Sequence, residues 1–214
     1  MVFKDIDNFI ELLDLKNKGI IYENDIDIIN YETDRNDRKR RDAEVLTTLA
    51  ANINDNALDI GTGTGRSAYR LATNMKGIVH TINFLPDDYK NKKYFTSLLE
   101  QNEIGKYYKS KDIQNIQQHY FDTTSTKLPG DINNIELVFI DGGHDAATVY
   151  QDSQLAYSLV NNGYIIWHDF NYDLRYKYNW IDDVMFGVMS FLKDIGYNKT
   201  IYHLKDSFCG FIKI

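Results

Sequence analysis

Residues 58–72 read LDIGTGTGRSAYRLA: an apolar strand end carrying Asp59, glycines at Gly61, Gly63 and Gly65, and then an apolar-periodic helix start. Glycines at these positions let backbone approach a ligand where a β-carbon would collide, and the turn opens onto a helix N-terminus whose free N–H groups favour an anionic group. The spacing separates two ligand classes. A dinucleotide fingerprint places Gly or Ala five residues after the first glycine, where this chain has Arg66, and the third glycine falls at four instead. A turn of this kind also serves plain tight packing, so the strand ends that surround it must decide.

Around the loop, apolar strand patterns recur at 57–60, 78–82, 119–121, 137–140 and 164–167. Helical patterns run at 43–53, at 67–75 closed by Gly77, and at 92–102 with Gly105 past the end. This alternation predicts an α/β fold, a parallel sheet covered by helices on both faces. The β-rich runs 200–204 and 208–214 are separated by three residues, too few for a crossover helix, so they are expected to form an antiparallel hairpin that reverses the last strand. Ahead of the first strand, Phe9, Ile10, Leu12, Leu13 and Leu15 suggest a short amphipathic helix, and residues 1–42 are expected to form a helical extension or lid.

The charge balance narrows the partners. Acids outnumber bases 31 to 24, for a formal net charge of -7, and the bases cluster only in the acid-interleaved DRNDRKRRD at 34–42, which reads as a solvated helix start. Nucleic acid is therefore not expected as a partner. The charged N-terminus resembles neither a signal peptide nor a membrane span, and the single cysteine, Cys209, fits a small core residue in a reducing compartment. The expectation is a cytoplasmic protein with no membrane partner.

Ligands of such sheets sit outside the carboxyl ends of the strands. The first strand end offers Asp59, the glycine loop and Ser67; the second offers Asn83, with Asp87 or Asp88 as substitutes; the third offers Asp122, Thr123 and Thr124, which also suit a simple Asx turn. LVFIDGGHD at 137–145 sets Asp141, two glycines and His144 at the lip of a buried strand, and GYIIWHDF at 163–170 sets His168 and Asp169 beside them. Two acid and imidazole pairs on adjacent strand ends are expected to form one pocket.

The G-x-G-x-G loop, FIDGGH, GYIIWHDF and the terminal hairpin resemble the class I S-adenosylmethionine-dependent methyltransferases, specifically methyltransferase family 24, the macrocin O-methyltransferase and cephalosporin-hydroxylase-like group, with a more distant likeness to catechol-type O-methyltransferases. The likeness runs from about Glu44 to Ile214. It implies a Rossmann-like, seven-stranded, mostly parallel sheet of order 3-2-1-4-5-7-6 with strand 7 antiparallel, and residues 43–214 as the catalytic domain. It implies an S-adenosylmethionine site at Asp59, Gly61, Thr62, Gly63, Gly65, Ser67, Asn83, Asp122 and Asp141. In the catechol-type enzymes the positions of Asp141, Asp169 and Phe170 hold a divalent metal such as magnesium, and that of His144 the base. Phenylalanine cannot coordinate, which leaves Asn171 or His168 to complete a hard-ion site.

These residues lead to an expected methyl transfer to a hydroxyl of a small-molecule acceptor, a sugar or secondary metabolite, with His144 as base and Asp141, Asp169 and His168 around it. The acceptor pocket is expected from NYDLRYKYNW at 171–180 and from residues 22–31, and the protein is expected as a homodimer. Two other classes share these features, a catalytically silent S-adenosylmethionine-binding module and a nucleotide-dependent oxidoreductase; Arg66 and the terminal hairpin speak against the second.

Overall fold

A computed structural model describes residues 2–8, 13–21, 33–85, 99–124 and 128–214, with only the backbone of 33–40. The helical pattern at 9–12, most of that at 92–102, Asp87, Asp88 and the acceptor segment 22–31 lie outside the described residues.

The strands are β1 (Val2–Ile6), β2 (Asn56–Ile60), β3 (Val79–Asn83), β4 (Ile116–Tyr120), β5 (Ile135–Ile140), β6 (Val160–Trp167), β7 (Thr200–Leu204) and β8 (Gly210–Lys213). The helices are α1 (Thr33–Ala50), α2 (Arg66–Ala72), α3 (Lys106–Lys109), α4 (Ala146–Leu159) and α5 (Asn179–Asp194). The sheet order is β1-β7-β8-β6-β5-β2-β3-β4, with β8 antiparallel to β6 and β7 and the remaining pairs parallel. Numbered from β2, this is the expected 3-2-1-4-5-7-6.

One strand exceeds the expected seven. Val2–Ile6 adds to the outer edge of β7 in parallel, and Phe3 stacks on the buried ring of Phe170 at 5.8 Å. Four of its five residues are exposed, so it carries no two-sided apolar run, and its order comes from the backbone groups that an edge strand leaves to be paired. Residues 2–6 of the extension expected to be helical are therefore strand. Leu13 lies in a turn and Leu15 outside any element. Helix α1 begins ten residues earlier than its apolar pattern, taking in the basic cluster, and the 42/43 division falls within it.

Alternation along the central strands builds two cores. Val138, Ile140, Ile165 and Trp167 face α4 and α5, whereas Leu137, Phe139, Tyr164 and Ile166 face α1 and α2. Trp180 packs beside Tyr178 while Val184 and Val188, at helical spacing after it, are buried, so α5 sits on the sheet by this stripe. Cys209 is a buried free thiol, as expected. No helix among the described residues is long and apolar enough to cross a membrane.

The register positions the site. Ile60, Ile140 and Trp167 are aligned across β2, β5 and β6, so Gly61, Asp141 and His168 emerge at the same level. Asp141 N–H donates to Ile60 O at 2.8 Å, and His168 N–H to Ile140 O at 3.0 Å, which continues the ladder one step into the lip.

Candidate functional site

A cavity of about 430 Å³ opens at this lip, lined by Gly61, Thr62, Gly63, Ser67, Asn83, Asp141, Gly142, Gly143, His144 and His168, with Phe84, Leu99 and Phe121 as apolar wall. The three loop glycines have different physical reasons. A β-carbon on Gly61 would stand 2.0 Å from Asp141 O, and one on Gly65 would stand 2.4 Å from the Tyr108 ring, so both serve the close crossing of protein on protein. Only Gly63, at φ +49°, faces open space where a β-carbon meets nothing within 4 Å. Gly63 lines the cavity, so its missing side chain is room for a ligand.

Beneath the loop runs a buried polar chain. Tyr108 OH donates to Gln118 Oε1 at 2.7 Å, Gln118 Nε2 to Thr62 Oγ1 at 3.0 Å, Thr62 Oγ1 lies 2.8 Å from Thr81 Oγ1, and Thr81 Oγ1 donates to Asp59 Oδ2 at 2.6 Å. Asp59 has no exposed surface and does not line the cavity. Burial pushes its carboxyl up to about 7, against the hydrogen bonds of Thr81 and Ser67. Asn83 accepts from Gly63 N–H at 3.2 Å and donates to Phe84 O at 2.8 Å, uniting the glycine loop with the end of β3. An acid at this position has no donor for Phe84 O. Asp122 accepts from Thr124 N–H at 2.9 Å and Thr124 Oγ1 at 2.6 Å, an Asx turn, and it is Phe121 and Thr123 that line the cavity there.

At the opposite wall the two acid and imidazole pairs meet. Asp145 caps α4 by accepting Thr148 N–H at 2.9 Å, which fixes the helix start immediately after His144. His144 Nε2 lies 3.5 Å from Asp141 Oδ1 and 3.4 Å from Asp169 Oδ2. His168 presents Nδ1 to Asp141 at 3.2 Å and to Asp169 at 3.5 Å, and Nε2 to Asp42 at 3.5 Å. Burial opposes charge on Asp141, His144, His168 and Asp169, yet mutual pairing outweighs it for the first three. The Asp141 carboxyl is held below its usual range by His168 and His144; the His144 imidazole is raised by Asp141 and Asp169; and His168 is raised well above its ordinary value by Asp141, Asp169 and Asp42. Asp169 is raised, by burial first and then by the charge of Asp141.

Two acids of this neighbourhood escape sequence reading. Asp42 sits at the end of the charged run in α1, and nothing in its local sequence pattern distinguishes it from the other charged residues there. Asp152 carries a signal: with Val149 and Ala156 it occupies the buried stripe of α4, where a carboxylate is costly. It lines the cavity, its Oδ1 has no hydrogen-bond partner, and burial pushes it up to about 7.

The hard-ion set does not fit. Asp169 adopts φ +53°, turning Phe170 away from the lip into the core, where it is 2% exposed and packs between Phe3 and Trp167. Asn171 accepts from Asp173 and Leu174 N–H groups at 3.1 Å each and donates to Ser207 O at 2.8 Å, so its amide holds its own loop. Asp141 and Asp169 are left with imidazoles as partners. Tyr172 and Tyr176 are exposed and flank the Arg175 guanidinium at 4.2 and 4.5 Å; with Tyr178 they lie outside the cavity lining.

A parallel sheet of this order with one reversed strand, carrying a glycine loop opposite a lip of acids, is the class I methyltransferase fold. The chain belongs to methyltransferase family 24, whose pattern, described as a methyltransferase domain, matches residues 58–170, just over half of the 214. Among solved structures, the O-methyltransferase NovP is similar over 81% of this chain and 79% of its own, with a TM-score of 0.59 and 11% identity. The O-methyltransferase TomG from Streptomyces achromogenes, in complex with SAM, is similar over 80% and 78%, with a TM-score of 0.56 and 14% identity. Aeropyrum pernix fibrillarin with natively bound S-adenosyl-L-methionine is similar over 82% and 74%, with a TM-score of 0.54 and 15% identity. An uncharacterized protein of Acanthamoeba polyphaga mimivirus is 29% identical over 99 residues, 45% of this chain and 42% of that relative, so the match spans less than half of its length.

Proposed function

We propose that the protein binds S-adenosylmethionine at the glycine loop and transfers its methyl group to a hydroxyl of a small acceptor, with His144 as general base. The observation that carries the reading is the open cradle at Gly63 facing, across one cavity, an imidazole held by two carboxylates. The cofactor supplies an electrophilic methyl group on a sulfonium. What the chain must add is alignment of the acceptor oxygen and removal of its proton.

The two histidines divide the work by geometry. Both nitrogens of His168 face carboxylates, so it serves as the imidazolium that compensates Asp42, Asp141 and Asp169. His144 has carboxylates only at Nε2, which favours the tautomer with its proton there and leaves Nδ1 to accept the acceptor's proton. Asp141 and Asp169 then stabilise the imidazolium that forms. In this reading residues 1–42 serve the site through Asp42, Asp152 accepts a donor on the nucleobase side, and no step passes through a metal.

Calorimetry with S-adenosylhomocysteine on the wild type and Gly63→Val tests the cofactor site, and mass spectrometry of hydroxylated acceptors incubated with S-adenosylmethionine tests the transfer. Binding by the wild type alone, with a methyl mass added to an acceptor, is the expected result. Equal binding by both proteins would overturn the assignment.

A further inference from the structure

Away from the cavity, three ligand-type side chains converge on the β3–β4 edge of the sheet, on the face covered by α4 and α5. His80 lies in the interior of β3 and is 1% exposed; His119 lies in β4, half-buried; Asp131 comes from the connection before β5 and is exposed. None of them lines the cavity. The register places His80 opposite Gln117 and Ile82 opposite His119, so with a side-chain period of two these four residues share one face.

The geometry is that of a ligand set. His80 Nδ1 and His119 Nε2 are 3.1 Å apart, with ring centroids at 5.3 Å, and one ligand atom from each of His80, His119 and Asp131 lies within 4.8 Å of the others. Two imidazole nitrogens on one tetrahedral zinc-class ion, each about 2.0–2.1 Å from it, stand roughly 3.3 Å from one another. Gln117 Nε2 donates to Asp131 Oδ2, a contact that orients the carboxylate as outer-shell partners of metal ligands do.

A hydrogen bond between the rings does not account for the carboxylate of Asp131 converging on the same point. An imidazole also stands here in a strand interior, 1% exposed, where an aliphatic residue would fill the space without a buried polar atom, so the position favours histidine for what its Nδ1 meets.

We propose that His80, His119 and Asp131 bind a divalent transition-metal ion of the zinc class, with water completing the coordination. Two imidazoles and one carboxylate select such an ion over magnesium or calcium, which take oxygen ligands. Because its ligands come from β3, β4 and the connection to β5, the ion cross-links the outer edge of the sheet to the chain that returns to its centre. The role is structural and independent of methyl transfer.

The test is zinc titration of the chelator-stripped full chain, by calorimetry and thermal melting, for the wild type, His119→Gln, Asp131→Asn and Asp141→Asn. One equivalent should bind and raise the melting temperature. His119→Gln should weaken that binding by more than the ~10-fold to 100-fold typical of outer-shell changes. Asp131→Asn, at an exposed site where folding is not at stake, should weaken it as well, and Asp141→Asn should leave it intact. No binding by the wild type, or binding lost with Asp141→Asn and kept in His119→Gln, overturns the proposal.

Discussion

His168 and Asp42 join the site to an element that sequence reading sets apart from it. Asp42 Oδ2 stands 3.5 Å from His168 Nε2, while Asp42 Oδ1 accepts Phe208 N–H at 2.6 Å, so one buried carboxylate ties α1 to the strand-end histidine and to the terminal hairpin. Asp42→Asn retains an acceptor for Phe208 but removes the charge; a drop in kcat of about tenfold is expected, with little change in melting. Asp42→Ala also orphans the Phe208 amide and should cost about 1–3 kcal/mol in urea unfolding. Equal kcat for wild type and Asp42→Asn would show that His168 keeps its proton without this partner.

The loop glycines should separate experimentally. Gly63→Val fills open space and should abolish S-adenosylhomocysteine binding in calorimetry while the fold survives, at a cost of order 1–3 kcal/mol for a side chain at φ +49°. Gly61→Ala and Gly65→Ala meet Asp141 O and the Tyr108 ring, so their main effect should be a lowered melting temperature.

His144→Ala should reduce kcat by ~10² to 10⁴ and leave cofactor affinity nearly unchanged. Since Asp141 and Asp169 raise the His144 value above 6.5, the rate should climb with pH through a midpoint above 6.5, and Asp141→Asn should move that midpoint down. Stability follows the opposite course. The protonated, paired imidazole contributes stability fully below 6.5, and the contribution is lost as pH rises through the folded-state value. A rate independent of pH from 6 to 9 would remove His144 from proton transfer.

Chelation should leave methyl transfer largely intact, because the third ligand position holds Phe170 and Asn171 is committed to its loop. Assaying with chelator and then with added magnesium checks this; loss and restoration of activity would make Asp141 and Asp169 ligands. Phe170→Ala should instead cost about 3–5 kcal/mol in unfolding, as an emptied aromatic core site does.

Much of the architecture follows from local pattern. The apolar runs of β2, β5 and β6 are legible because strands buried on both faces must be apolar throughout, and the reversal of β8 because so short a connection admits only a hairpin. The lip residues Asp141, His144, His168 and Asp169 are legible for a related reason: polar groups immediately after such strands stand where the sheet ends. What the tertiary structure decided are the relations between distant segments. Strand β1 is mostly exposed and too short to show a buried pattern, and only the free edge of β7 makes it a strand. Asp42 reads as one more member of its charged run until α1 brings it to His168 at the end of β6. The glycines at 61, 63 and 65 look alike in sequence, and only their surroundings distinguish two packing contacts from the one that opens to the cavity. Periodicity reports which face of an element is buried, whereas the partner that buries it, and the side chain it meets there, depend on chain returning from far away.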